Sequence, residues 1–501
     1  MCHFTLLSLL FATSFASQPL PQAELLPLLE KLLGNLETLL QLVADFRSQP
    51  ITPEATARFE KQLQELIRAL GHTTVEWTYN SLEPNDPQDA PARLEVEGEK
   101  YRRRDKHPRP VATLFGKIQL WRLLYEPLEP GLRCLHPLEG QLGLEAGCAS
   151  PALAERVGLW AAQHPQRGVL AILLREYGIK WSHKTLREVT ASLAQGMAVQ
   201  RQGAQCRRLL ELLRQAQQSK GRYRIVLAVG RDGIHVPLRY EQYREGAAAT
   251  VSVYDRRGRR LGTVYLGRMP QPGQATLSAQ LTALVQEVLQ AWQGPKLRLA
   301  YITDGGWHPT DYYLRVLRQM EDPRRPGQRL VWERVIDFYH ATEYITKLAE
   351  ALFGKGRRAQ VWANRMRKRL KEDHGVTRVL QSAGYHHSQS VLSAAREEAY
   401  QQAHGYLQRH RRWMDYARYR KAGIPLGSGV TEAACKTVFT QRVKQSGMQW
   451  GRTGGQAIVD LRVVWLSGVW DETYQSYLRS KTSGSDDTYT GATTPTGGKL
   501  P

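Results

Sequence analysis

The chain has 501 residues, 42% hydrophobic and 23% charged, a globular composition long enough for about two to four domains. Its 69 Lys and Arg exceed its 47 Asp and Glu to give a net charge of +22, which excludes an electrostatically neutral role. That excess points to a polyanionic partner, with nucleic acid expected ahead of an anionic membrane surface.

The N-terminal stretch Phe4–Ala16 is apolar like a signal-peptide core, but only His3 stands where a Lys or Arg would precede it. It is read as an extension and not as a working signal. No run reaches the ~18 apolar residues of a membrane helix, so the expectation is a cytoplasmic, nucleoid-associated protein with no membrane partner. The five cysteines (Cys2, Cys134, Cys148, Cys206, Cys435) are scattered and form no Cys-x-x-Cys pair, which argues against a disulfide framework or a structural zinc site and fits a reducing compartment.

Residues 22–71 predict a helical hairpin. Leucines recur at helical spacing from Leu25 to Leu40, Ser48-Gln49-Pro50 makes the turn, and Thr52 caps a second helix striped by Phe59, Leu63, Leu66, Ile67 and Leu70. Residues 80–110 are Pro-rich and read as a linker or small β element ending in the basic run Lys100–Lys106. Val111–Tyr125 reads as a β-hairpin turning at Gly116-Lys117. Three helices follow in 150–203. The last is capped by Ser182, runs to about Gln200, and gives the group a helix-turn-helix pattern. Lys180, His183, Lys184 and Arg187 are its candidate DNA contacts.

From Arg224 the periodicity changes. Strands are predicted at Ile225–Val229, Ala247–Tyr254, Gly262–Leu266, Leu297–Thr303 and Leu330–Ile336, with helices at Thr276–Trp292 and Pro309–Met320. The order β-β-β-α-β-α-β is that of an α/β RNase H-like domain, a three-strand meander followed by βαβ steps. Residues 341–422 are basic and helical, and are read as a large all-α insertion. The domain would then resume at Gly423–Lys436, where a Gly/Pro-rich turn opens into a helix carrying Glu432. The full division is 1–79 (extension and hairpin), 80–149 (linker and β region), 150–215 (DNA-binding helices), 220–340, 341–422, 423–479, and a disordered tail at 480–501.

Two-metal phosphoryl chemistry needs carboxylates that converge from separate elements onto ions about 4 Å apart. Asp232 ends the first predicted strand and Asp304 the fourth, and these strands are neighbours in an RNase H-like sheet. Glu432 would join them from its helix. The expected cofactor is two Mg²⁺ or Mn²⁺ ions. In-line attack by water or a DNA 3′-hydroxyl needs no covalent protein–DNA intermediate, so no Tyr or Ser nucleophile is assigned. Lys436, Arg442, Lys444, Trp450 and Arg452 are expected to hold DNA backbone or stack on a splayed base.

The block Ile424–Lys436, the following Arg442–Trp450 and the stretch Ala457–Arg462 resemble the C-terminal signature of bacterial DDE transposases of the ISKra insertion-sequence family. Pro137–Leu144 and Ser150-Pro151 resemble that family's N-terminal region, and Asp337-Phe338-Tyr339-His340 resembles the Asp-x-x-His motif of related transposases. The resemblance covers about residues 80–478. It implies that Asp232, Asp304 and Glu432 form a metal-binding catalytic triad, with Asp337 and His340 close behind it. It further implies cleavage at terminal inverted repeats and strand transfer into target DNA by a homodimer or larger assembly. One departure stands out: only Cys134 occupies the place where family members often carry paired cysteines. The alternatives are a DNA-binding relative without catalysis and an RNase H-like nuclease without strand transfer.

Overall fold

The computed structural model describes residues 22–486, with side chains from 28 to 481; Phe4–Ala16 and the chain beyond Asp486 lie outside the described residues. The chain forms two compact units. One comprises the residues up to Ala154, Leu170–Ser182 and the chain from Lys481; the other comprises Glu155–Val169 and His183–Ser480.

In the first unit, α1 (Gln22–Ser48) and α2 (Pro53–Asn80) form the expected hairpin. The Thr52 hydroxyl accepts from Ala55 N–H at 3.1 Å, Pro53 occupies the first helical position, and Phe46 stacks on Phe59 across the pair. The Pro-rich stretch is a three-stranded antiparallel sheet: β1 (Arg93–Val96), β2 (Glu99–Thr113) and β3 (Gly116–Pro127). Its hairpin turns at Leu114-Phe115, two residues earlier than expected, because Thr113 already pairs with Gly116. The free edge of β3 is closed by side chains around the end of α2. Glu76, Asn80 and Glu83 accept from the N–H groups of Gln119, Trp121 and Leu123, so every second donor is satisfied without another strand. The basic run lies on β2, where Arg102 and Arg104 both reach Glu126 and Arg103 donates to the Gln88 carbonyl.

Three helices come next in the chain: α3 (Pro137–Gln141), α4 (Pro151–Gln163) and α5 (Gln166–Tyr177). The next helix, α6 (His183–Gln218), has 36 residues and runs well past the expected end at Gln200. Its second half buries Leu209, Leu212, Leu213 and Ala216 in the core of the second unit, which a short recognition helix would not do.

That second unit is built on a mixed five-stranded sheet: β4 (Val226–Leu238), β5 (Gln242–Tyr254), β6 (Arg260–Arg268), β7 (Arg298–Thr303) and β10 (Trp332–Ile336). The spatial order is β10-β7-β4-β5-β6. The first three strands form an antiparallel meander, β7 is parallel to β4, and β10 is parallel to β7. The connections are α7 (Ala275–Ala291) and α8 (Trp307–Tyr312), the latter followed by a π turn and an exposed hairpin of β8 (Glu321–Asp322) and β9 (Arg325–Arg329). β4 is longer than predicted. Arg231-Asp232-Gly233 is paired with Ala249-Ala248-Ala247 in mid-strand and is not a terminal turn.

The strands alternate between two cores. Leu227, Val229, Leu299 and Tyr301 face α6 and α7. Val226, Ala228, Ala300 and Ile302 face the basic helical stretch, which forms α9 (Phe338–Phe353), α10 (Arg357–Arg369), α11 (Gly375–Ser388), α12 (Ala394–His410) and α13 (Tyr416–Lys421). Burying each Leu, Ile or Trp of those helices contributes about 1.5–3 kcal/mol, which holds a strongly basic segment on the sheet. The chain then forms α14 (Gly429–Ala434) with a π turn at Cys435–Thr440, α15 (Arg452–Leu466) and α16 (Trp470–Asp486). The expected disorder from Ser480 is therefore corrected: α16 continues to Asp486.

Candidate active site

Strand register brings the acidic residues to one level. Along β4 and β7 each partner lies 72 residues from the other (Val226 with Arg298, Gly230 with Ile302), which is also the separation of Asp232 and Asp304. β7 and β10 pair at an offset of 33 (Thr303 with Ile336), the separation of Asp304 and Asp337. Carried on past the last paired residues, this register sets the three aspartates in one row just beyond the parallel pairing, on the face covered by α9–α13 and α14.

Asp304 follows β7 directly. Its Oδ1 accepts from Gly306 N–H at 2.9 Å, its carbonyl accepts from the Tyr406 hydroxyl, and Gly305 turns the chain at φ 86°. Glu432 is supplied by α14, and packing explains why that helix lies so close to β4. A Cβ on Gly230 would fall 1.9 Å from Thr431 Oγ1, and Thr431 is hydrogen-bonded to Thr250 at 2.8 Å. Only glycine at position 230 lets the residue before Glu432 rest on the strand. The π turn after α14 then directs Cys435 inward, with Sγ 3.5 Å from Asp232 Oδ2.

The three carboxylates are coupled electrostatically. Burial first, then Asp304, with a smaller part from Glu432, push the Asp232 carboxyl up to about 6, against the pull of Gly233 N–H and the Cys435 thiol. The same burial and the Asp232 charge push the Cys435 thiol far above its ordinary range, so it is a neutral hydrogen-bond donor there.

Asp232 gives a pH prediction. Its folded pKa lies above the ordinary 3.8, so between 3.8 and about 6 the native state keeps a proton that the unfolded chain has released. Stability conferred by that proton falls as pH rises through this window. Thermal melts in chelator should show a decline from pH 4 to 6 that is smaller in Asp232→Asn; identical profiles for the two proteins would refute the assignment.

Asp337 is the third member of the row, and His340 follows it on the first turn of α9. Asp337 is fully buried and caps α9 by accepting from His340 N–H at 2.8 Å. His340 lines a cleft of about 520 Å³ with Asp304, Trp307, Tyr344, Tyr406, Arg409 and His410. His410 is held neutral: burial, then Arg334 and Arg409, push it down to about 4. Sequence reasoning missed Ser428, Tyr406, His410 and Arg334. Ser428 lay within the glycine-rich motif already singled out. Arg334 and its neighbour Glu333 are the two charged residues of the otherwise apolar stretch Val331–Ile336. Arg334 is buried beneath the site, donates to Thr310 Oγ1 and lies over the rings of Tyr313 and Trp413.

Two expected DNA contacts are corrected. Arg442 is completely buried; its Nε donates to the Ala161 carbonyl and its guanidinium lies over the Trp450 ring. Trp450 is half-buried, and its indole N–H donates to the Val443 carbonyl at 2.8 Å. The pair packs at the apolar core under α14, so Arg442 offers no exposed charge and its guanidinium covers one face of Trp450. Arg452 is exposed but occupied by Glu241 in a two-point ion pair. Lys436 is exposed, and Lys444 lies half-buried over Tyr243. Lys180, His183, Lys184 and Arg187 are all exposed; Lys184 lies 3.9 Å from Glu188.

Among the described residues, no three His, Cys, Asp or Glu side chains are gathered into a ready-made metal cage. The donor set nevertheless suits Mg²⁺, which binds through one or two carboxylates and takes its remaining oxygens from water and phosphate. The raised Asp232 carboxyl is the supporting observation: its largest electrostatic neighbour is another carboxylate, a repulsion that a divalent cation relieves. Also among the described residues, no helix is long and apolar enough to cross a membrane. Compared with models of protein families and with curated proteins, the sequence matches none.

Proposed function

We propose that the protein is a DDE-type DNA transposase whose five-stranded sheet is the core of an RNase H-like catalytic domain, with α9–α13 as its helical insertion. The observation that carries this reading is the shared register of Asp232, within β4, and Asp304, just after the adjacent parallel strand β7, with the Glu432 helix packed onto Gly230 beside them. Two Mg²⁺ or Mn²⁺ ions, when bound, would activate a water or DNA 3′-hydroxyl and stabilise the leaving oxygen. Asp232, Asp304 and Glu432 would hold them. Asp232 gives up its proton near pH 6 and so is a carboxylate at neutral pH. Tyr406 fixes the backbone at Asp304, and Ser428 anchors the start of α14.

The reading of a DNA partner draws on the basic helical stretch noted in the sequence. α10 carries six basic residues and no acidic one. Its Ala359, Trp362, Ala363 and Met366 are buried, while Arg357, Arg358, Arg365 and Lys368 face outward. This face fits a phosphate backbone without reading sequence. Replacing Arg357, Arg365 and Lys368 by Ser should flatten the plot of log affinity for duplex DNA against log salt by roughly 2.7, at about 0.9 per lost phosphate contact. An unchanged slope would remove α10 from the interface.

The function is tested on supercoiled plasmid carrying the DNA that flanks the coding sequence, with Mg²⁺ or Mn²⁺ and a chelated control. A transposase cuts at the terminal inverted repeats and joins the ends to target DNA, acting as a dimer or larger assembly. Cleavage without joining would favour a nuclease, and tight binding without cleavage a non-catalytic DNA-binding protein; either outcome overturns the proposal.

A further inference from the structure

Glu432 is exposed, yet its carboxylate is met from behind by a single hydroxyl. Ser428 is 6% exposed, and its Oγ lies 3.0 Å from Glu432 Oε1 and 2.7 Å from Asp337 Oδ2. The Ser428 N–H also donates to Asp337 Oδ2, and its carbonyl accepts from Glu432 N–H at 3.0 Å at the start of α14. Asp337 in turn donates its N–H to the Thr303 carbonyl at 2.8 Å, and Thr303 is the residue before Asp304. A continuous hydrogen-bonded path therefore runs from the end of β7, through the buried Asp337 and Ser428, to Glu432.

The proton count along this path matters. A serine hydroxyl has one proton to donate, and here two carboxylates compete for it. Asp337 does not depend on it, because the backbone N–H groups of Ser428 and His340 already donate to its two oxygens. The hydroxyl is free to turn to Glu432. Without it, a long exposed carboxylate has several rotamers and nothing in this path to choose among them.

We propose that Ser428 is a positioning residue: its backbone N–H holds it on Asp337, and its hydroxyl, donating to Glu432, fixes the orientation in which that carboxylate joins Asp304 and Asp232 on a divalent cation. This rests on the reading of those three carboxylates as cation donors. Groups that orient a metal ligand in this way typically change metal affinity by about 10- to 100-fold when removed.

The test is Mn²⁺ binding by the full-length protein, followed by the electron paramagnetic resonance of free Mn²⁺, for wild type, Asp304→Asn, Ser428→Ala, Glu432→Gln and the double variant Ser428→Ala/Glu432→Gln. Ser428→Ala is expected to weaken Mn²⁺ about 10- to 100-fold and to leave metal-free DNA binding unchanged. It should add nothing once Glu432 is Gln, whereas a merely structural serine would weaken both backgrounds alike. Wild-type Mn²⁺ affinity in Ser428→Ala, or equal losses in the two backgrounds, would overturn the proposal. If the Ala variant does not fold, Ser428→Cys keeps the size but only a weak donor, and wild-type binding there would overturn it equally. Failure of the underlying reading looks different: Asp304→Asn would then bind Mn²⁺ as wild type does.

Discussion

Asp304→Asn should lower metal-dependent DNA cleavage by about 10³-fold or more while leaving DNA affinity and melting temperature nearly unchanged. The magnitude follows from the several kcal/mol that a correctly placed cation contributes to phosphoryl transfer, at 1.36 kcal/mol per factor of ten. The variant is conservative where structure is concerned. Asn keeps an acceptor for Gly306 N–H, and the Tyr406 bond goes to the backbone and survives. What is lost is one negative charge. Since Asp304 is the largest electrostatic cause of the raised Asp232 carboxyl, the same variant should bring Asp232 back toward 3.8 and narrow its pH window. Cleavage by Asp304→Asn at the wild-type rate would eliminate the triad.

Gly230→Ala should be nearly as damaging to activity, although it touches no charge. Its Cβ would stand 1.9 Å from Thr431 Oγ1 and 3.0 Å from Thr250 Oγ1, so α14 must move outward and carry Glu432 with it. Overpacking of this kind costs about 1–3 kcal/mol, which in a unit of this size lowers the melting temperature by roughly 2–4 °C per kcal/mol. A displacement of about 1 Å at a reacting centre can cost on the order of 100-fold in rate. Gly454→Ala, where a Cβ meets nothing within 4 Å, is the control and should behave as wild type. If Gly230→Ala retains full cleavage, Glu432 does not depend on α14 being seated on β4.

Much of the second unit was legible in the chain. The β-runs at Ile225–Val229, Ala247–Tyr254 and Leu297–Thr303 alternate or run apolar between turn signals, and all three are strands in the central sheet. The Thr52-Pro53 helix start was equally plain, because a cap is a local event with local chemistry. Errors fell where distant residues decide. Asp232-Gly233 has the form of a turn dipeptide, but Ala247 and Ala248 pair with it and carry β4 on to Leu238. Arg442 and Trp450 have the composition of a nucleic-acid contact, but the chain folds them against Ala161 and Val443. In both cases the local signal was genuine and a tertiary partner overrode it.

The sequence by itself determined the positive charge and the strand order along the chain, because these depend on composition and on periods of two and 3.6 residues; it offered Asp232, Asp304 and Glu432 only as candidates. The tertiary structure alone decided that Asp232, Asp304 and Asp337 share one row, since register is a property of paired strands. It also decided that Gly230 admits the Glu432 helix, that Ser428 stands between two carboxylates, and that α10 rather than Arg442 presents free positive charge. Each of these depends on residues far apart in the chain meeting in space, which no single segment encodes.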